Sequence, residues 1–131
     1  MREKQNGTYP GEITVLLAEP GKPVRVKRIV PVFDIMEKIV GGNAKEICPF
    51  AGPVGVIFNG GGDSLHFPGC LLLRNGNDQP YAVIRGTFLV AGVYDGNYVS
   101  LTKVQMNRIL KMFRRDRLSG VNRRYPAVST M

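Results

Sequence analysis

The sequence has few of the side chains that build metal centres and covalent links. It contains one histidine (His66), two cysteines (Cys48 and Cys70) and no tryptophan. A zinc site would need carboxylate ligands at unusual spacing beside that single histidine, so we expect no metal and no cofactor. Both cysteines have apolar neighbours, which in a reducing compartment favours buried free thiols, and a disulfide between them is the alternative.

Long apolar runs are also missing. No stretch approaches the roughly 20 apolar residues that a membrane-spanning helix needs. Residues 1–6 are polar and lack the apolar segment of a secretory signal. We therefore expect a cytoplasmic protein that does not contact a membrane.

Acidic residues are scarce at one end of the chain. Residues 101–131 hold eight basic side chains and one acidic side chain, Asp116, whereas residues 1–100 hold ten basic and nine acidic ones. The formal net charge of +8 on 131 residues is therefore concentrated near the C-terminus. The eight basic residues are Lys103, Arg108, Lys111, Arg114, Arg115, Arg117, Arg123 and Arg124.

Short apolar segments, largely arranged as hairpins, predict an α+β fold. We expect a single compact domain over residues 12–115, with a mainly antiparallel sheet of five or six strands and two helices, at 32–41 and 103–115. Residues 1–11 are polar and predict a flexible leader. Residues 116–131 have scattered arginines and no apolar period, so we expect a basic, disordered tail.

The first predicted helix has an apolar face at helical spacing, and Gly41 follows it as a C-cap. That face consists of Val32, Ile35, Met36, Ile39 and Val40. The second helix begins with a capping box formed by Thr102 and Gln105, and its core-facing residues are Met106, Ile109, Leu110 and Phe113.

The middle of the chain is richer in turn residues. Residues 55–59 and 64–67 predict a hairpin around a glycine-rich loop. Residues 68–80 hold prolines, glycines and a polar run, and we interpret them as a loop. Residues 81–91 form the most apolar stretch and predict a central strand interrupted by Gly86.

The Asn59–His66 turn contains the closest grouping of acid, nucleophile and base. Asp63, Ser64 and His66 could meet there, so a small hydrolase or nucleotide-binding enzyme is an alternative reading. A working triad needs a buried orienting carboxylate and an oxyanion hole, which one exposed turn rarely supplies. The glycines also lack the lysine and hydroxyl residue of a phosphate-binding loop. We expect no catalytic residues and no enzyme.

The eight basic residues carry the main functional hypothesis. A helix face of lysine and arginine next to an arginine-rich segment suits a phosphate backbone, because each contact releases condensed counterions. Few aromatic residues accompany it, so base stacking has little support. An acidic protein surface is a second possible partner, and a merely solubilising charge is the third interpretation.

Five segments resemble one protein family when taken in order. They are residues 15–22, 39–42, 48–56, 83–92 and 100–102. Over residues 13–113 the chain is similar to small proteins of phages and conjugative elements classified as domain of unknown function 3846. The resemblance implies an accessory protein of a mobile element and assigns no reaction.

Together these observations lead to one hypothesis. We expect a non-enzymatic accessory protein of a phage or mobile element, located in the host bacterial cytoplasm. Its basic helix and tail would bind nucleic acid or a host nucleoprotein complex such as a defence nuclease. An anti-CRISPR or anti-restriction inhibitor is the most concrete version. An oligomeric protein-interaction scaffold is a further alternative.

Overall fold

The described part of the chain, residues 11–62, 65–118 and 126–128 of a computed structural model, contains eight strands and two helices. The strands are β1 (Ile13–Ala18), β2 (Arg25–Ile29), β3 (Ala44–Ile47), β4 (Val54–Asn59), β5 (Gly69–Arg74), β6 (Pro80–Arg85), β7 (Phe88–Tyr94) and β8 (Asn97–Val99). The helices are α1 (Phe33–Val40) and α2 (Lys103–Asp116). The predicted α+β class and both predicted helices are confirmed.

Six of the strands form one antiparallel sheet. Its order is β2-β1-β7-β4-β3, and β8 also pairs with β7. Strands β1 and β2 form an antiparallel hairpin, with Ile13 opposite Ile29 and Leu17 opposite Arg25. Strands β5 and β6 form a separate two-stranded sheet.

Apolar side chains project from both faces of the main sheet, and each face is covered by other elements. The domain therefore has three layers. On one face Val15, Leu17 and Leu89 pack against Met36 and Val40 of α1. The opposite face is covered by the β5–β6 hairpin and α2, and its core residues include Leu16, Val56, Phe58, Phe88, Ile109 and Phe113. Because β4 and β7 are covered on both sides, their sequences read as continuous apolar runs.

Helix α1 follows the predicted pattern only in part. Gly41 ends it with a φ of 88°, a left-handed conformation that glycine adopts without steric cost. Met36 and Val40 are buried, but Val32 is 48% exposed and Ile35 is 37% exposed. Of the five residues of the predicted apolar face, Met36 and Val40 are therefore buried and Ile39 is partly buried, whereas Val32 and Ile35 remain exposed.

Helix α2 begins as predicted. The Thr102 hydroxyl accepts a hydrogen bond from the backbone N–H of Gln105, and the Gln105 side chain accepts one from the backbone N–H of Thr102. This reciprocal pair satisfies two N–H groups that the helix itself leaves unpaired. The helix ends at Asp116, one residue later than predicted.

Two predictions for the middle of the chain were wrong, and a third is confirmed only in the interruption at Gly86. Leu65 and His66 lie in a turn, and β4 pairs with β3 and β7 in place of residues 64–67. The predicted loop at 68–80 contains β5, whose partner is β6. Residues 81–91 are divided between two sheets at Gly86, where φ is 81° and a Cβ atom would lie 2.6 Å from the ring of Phe67.

Some residues assigned to the tail contact the domain. The Leu118 N–H donates to the Cys70 carbonyl at 3.1 Å, and the Val128 N–H donates to the Val83 carbonyl at 2.9 Å. The predicted leader up to residue 10 and tail residues 119–125 and 129–131 lie outside the described residues.

Neither described helix has the length and apolar character that crossing a bilayer requires.

The two cysteines are free and differ in environment. Cys70 is buried, as expected, whereas Cys48 is exposed, because it follows the edge strand β3. Burial raises the pKa of Cys70 to about 11. Partial burial and a 3.5 Å hydrogen bond to Glu46 raise the pKa of Cys48.

We expect thiol reagents to distinguish the two cysteines. At pH 8 a soluble disulfide reagent should modify Cys48 slowly, and it should modify Cys70 only after unfolding in urea, because the thiolate is the reactive form and Cys70 is inaccessible. Mass spectrometry of the native protein should show a single addition. Two additions of equal rate, or none at Cys48, would contradict these placements.

Candidate functional site

The exposed side of α2 carries positive charge without an exposed acidic side chain. Its basic residues, which we call the basic face, are Lys103, Arg108, Lys111, Arg114 and Arg115. The other exposed residues of the helix are Val104 and Asn107. Spacings of three and four place these side chains along one side of the helix, opposite the buried Ile109 and Phe113.

Asp116 is the only acidic residue of α2. Because its side chain is buried, it does not lower the positive charge of the exposed surface. Its side chain is 3% exposed and accepts a hydrogen bond from Nε of Arg74 at 3.0 Å. Arg115 also donates to it from Nε and Nη2, each at 3.1 Å. Because an unpaired buried carboxylate is costly, the two arginines explain how Asp116 is tolerated in the core.

Two members of the basic face are held by neighbouring loops. Arg108 donates from Nη2 to the Ala51 carbonyl at 3.1 Å. Arg115 forms an ion pair with Asp78 at 3.2 Å, and the hydrogen bond to Asp116 is the main cause that raises its pKa. Arg115 is therefore only partly available to a partner.

The remaining three members have no such attachment. Within the described residues, Lys103, Lys111 and Arg114 make no hydrogen bond or ion pair through their charged groups. Lys103 is the first residue of α2, where the helix dipole disfavours a cation by about 0.3–1 kcal/mol. These three cations are the ones most accessible to an anionic partner.

Arg117 follows α2 and is part of the structural framework. Its Nε donates to the Cys70 carbonyl at 3.0 Å, and its Nη2 donates to the carbonyls of Glu19 at 2.9 Å and Lys22 at 3.0 Å. These bonds join the end of α2 to β5 and to the β1–β2 turn. Arg117, predicted as one of the polyanion contacts, is therefore fixed in place by backbone carbonyls. Arg123 and Arg124 lie outside the described residues.

A cavity of about 670 Å³ lies between α2 and the β1–β2 turn. We call it the α2 pocket. Apolar groups of Val24, Leu110, Phe113 and Leu118 line it together with the cations Lys22, Arg114 and Arg117. The other flank of α2 has a smaller cavity, of about 330 Å³, lined by Arg108, Lys111, Met112 and Arg115.

The Asn59–His66 turn shows no such convergence among its described residues. The Asn59 side chain is buried, donating to the Val40 carbonyl at 3.3 Å and accepting from the Gly61 N–H at 2.7 Å. His66 is exposed and has a φ of 58°. Asp63 and Ser64 lie outside the described residues, and the α2 pocket contains neither Asn59 nor His66.

Comparison with protein-family models finds one match. The model of the family described as Domain of unknown function (DUF3846) matches residues 13–114. The chain belongs to this family. The predicted membership is thereby confirmed, and the matched DUF3846 region ends at Arg114, inside α2, so that it includes most of the basic face. No curated protein and no solved structure matches the chain.

Sequence reasoning did not identify Lys22 and Val24 as site residues in this DUF3846 protein. They belong to the β1–β2 turn, and α2 begins about eighty residues later in the chain. The Arg117 bonds to the Glu19 and Lys22 carbonyls bring the two segments together. No local pattern signals such a long-range contact.

Proposed function

We propose that the protein binds nucleic acid or a nucleoprotein complex through the basic face of α2. The proposal rests on one observation: five basic side chains lie on the exposed side of a helix whose single acidic residue is buried and paired. A phosphate backbone supplies the evenly spaced negative charges that such a surface would attract.

The accessible cations support backbone recognition more than base recognition. Lys103, Lys111 and Arg114 are long side chains on an exposed surface, and Val104 and Asn107 are the uncharged groups between them. No aromatic side chain lies on this face of α2, so base stacking has no platform there. Binding should therefore depend strongly on salt and weakly on sequence.

In its most specific form the proposal concerns a mobile-element accessory protein in the bacterial cytoplasm. Its nucleoprotein partner would then be a host defence nuclease that it inhibits without performing a reaction of its own. The family resemblance to phage and conjugative-element proteins motivates this form. Capture of partners from host lysate, eluted at low and at high salt and treated with nuclease, would test it.

The electrostatic part of the proposal predicts a defined salt dependence. For fluorescently labelled duplex DNA, three to five phosphate contacts correspond to a slope of log K against log salt of about −3 to −5. The double variant Lys103→Glu/Lys111→Glu should bind at least about tenfold more weakly in low salt, with the slope reduced in magnitude by about two. Fluorescence anisotropy over a salt series measures both quantities.

A matched variant controls for the change in total charge. Lys38→Glu/Lys45→Glu alters the net charge by the same amount, at exposed positions on α1 and β3 away from α2. It should keep the slope of the unmodified protein. Equal losses in the two double variants, or salt-independent binding, would refute a role for the basic face.

A further inference from the structure

The α2 pocket contains a positive charge that is fixed in place before any ligand arrives. Arg117 is held through Nε and Nη2 by three carbonyl oxygens, those of Cys70, Glu19 and Lys22. All three acceptors are uncharged, and among the described residues no carboxylate forms an ion pair with Arg117. The guanidinium therefore keeps its full charge, and its orientation costs little entropy on binding.

Two further cations surround the same cavity. Lys22 and Arg114 line it from opposite sides, one on the β1–β2 turn and the other on α2. The nearby carboxylate of Glu19 is paired with Arg25 at 3.5 Å. A negatively charged ligand in the pocket would thus contact three cations, and the described residues of the pocket lining include no carboxylate to repel it.

The floor between these cations is apolar. Val24, Leu110 and Leu118 line it as partly buried side chains, and Phe113 lies beneath them with its ring almost completely buried. Because the Phe113 ring already packs edge-on against Phe88 at 5.7 Å and is 2% exposed, it offers no face for a nucleobase. The lining suits an aliphatic or aromatic side chain that enters between flanking carboxylates.

From this combination we propose that the α2 pocket binds an acidic peptide segment of a protein partner, with a large apolar side chain seated on Val24 and Leu110. The charge complementarity comes from Lys22, Arg114 and Arg117. This site shares Arg114 with the basic face, but it is separate from the phosphate contacts proposed for Lys103 and Lys111 and does not depend on them. A nucleoprotein partner could use both surfaces.

The test uses a fluorescein-labelled peptide in which a leucine-phenylalanine pair lies between aspartates. Two control peptides replace either the apolar pair by serines or the aspartates by asparagines. We expect the full peptide to bind at least about tenfold more tightly than either control, because charge and apolar contact both contribute. Equal binding of the serine control would overturn the proposal, since it would leave only general charge attraction.

Pocket variants locate the binding on the protein. Val24→Gln and Lys22→Glu should each weaken binding of the full peptide about five- to tenfold. Val26→Gln and Lys38→Glu are the matched controls, because both positions are exposed and neither lines the pocket. Circular dichroism confirms folding of each variant, and unchanged affinity in the two folded pocket variants would overturn the proposal.

Other occupants give different results. Lys103→Glu/Lys111→Glu should leave peptide affinity within about twofold, and a large loss would place the peptide on the basic face instead. Replacing residues 119–125 by glycine and serine should not tighten peptide binding. A tenfold gain in peptide affinity would instead mean that the chain's own segment occupies the pocket.

A second copy of the chain or a nucleic acid could also occupy the pocket. The peptide assignment would be overturned if the protein formed a dimer that the Val24→Gln substitution dissociates. It would also be overturned if that substitution lowered the affinity for an oligonucleotide.

Discussion

Replacing Phe113 by alanine should destabilise the protein by about 3–5 kcal/mol, the usual cost of truncating a buried aromatic residue. The Phe113 ring is 2% exposed and lies edge-on to Phe50 at 6.0 Å and to Phe88 at 5.7 Å. It therefore joins α2 to β7 and to the segment before β4. Urea unfolding followed by circular dichroism measures the loss as a lower midpoint at a similar slope.

The chain offers a matched control for this substitution. Phe33 begins α1 and is 56% exposed. Because its side chain is largely in water already, Phe33→Ala should change the free energy of unfolding by no more than about 0.5 kcal/mol. Similar losses for Phe33→Ala and Phe113→Ala would show that α2 is not anchored through Phe113.

The local signals in the sequence predicted the elements that depend on neighbouring residues. The capping box of Thr102 and Gln105 and the stop at Gly41 need only contacts within a few positions, and both are present. The first hairpin is likewise local, because only residues 19–24 separate β1 from β2. Such features can be predicted from the sequence because their energetics depend on residues only a few positions apart.

The second sheet could not be predicted in the same way. Leu71–Leu73 is a short apolar run between turn residues, which fits a buried strand or an apolar loop equally well. Only its pairing with β6, in which Leu72 lies opposite Val83, makes it a strand. Similarly, Gly86 marks an interruption in the sequence, but the separation of β6 and β7 into different sheets depends on how the whole chain packs.

The candidate site shows the same limit. A count of charges treats all the basic residues as equivalent. In the folded protein they differ in which groups they contact and in how accessible they are. Arg117 holds backbone carbonyls, Arg115 neutralises a buried carboxylate, and Lys111 is accessible. Tertiary contacts therefore divide one basic segment into cations whose position the fold fixes, such as Arg115 and Arg117, and freely accessible cations such as Lys111.

A second large loss of stability is expected on substituting Asp116, whose carboxylate is paired with two arginines. Asp116→Asn keeps the side-chain volume and removes the charge, so Arg74 and Arg115 lose their buried partner. Loss of one member of a buried ion pair costs up to about 3–5 kcal/mol. Here the arginine side chains are 24% and 51% exposed and can regain some hydration, so we expect about 2–3 kcal/mol by urea unfolding.

Asp78 provides the comparison that isolates burial as the cause. It pairs with the same Arg115 at 3.2 Å, but its side chain is 68% exposed. Because exposed ion pairs contribute little, Asp78→Asn should cost less than about 1 kcal/mol. A double-mutant cycle separates the contribution of Arg74. If Asp116→Asn costs less stability in an Arg74→Met background than in the unmodified protein, the Arg74–Asp116 contact is the stabilising one. Equal losses of stability in Asp78→Asn and Asp116→Asn would instead mean that Asp116 is hydrated. Its negative charge would then reduce the net positive charge of the basic face.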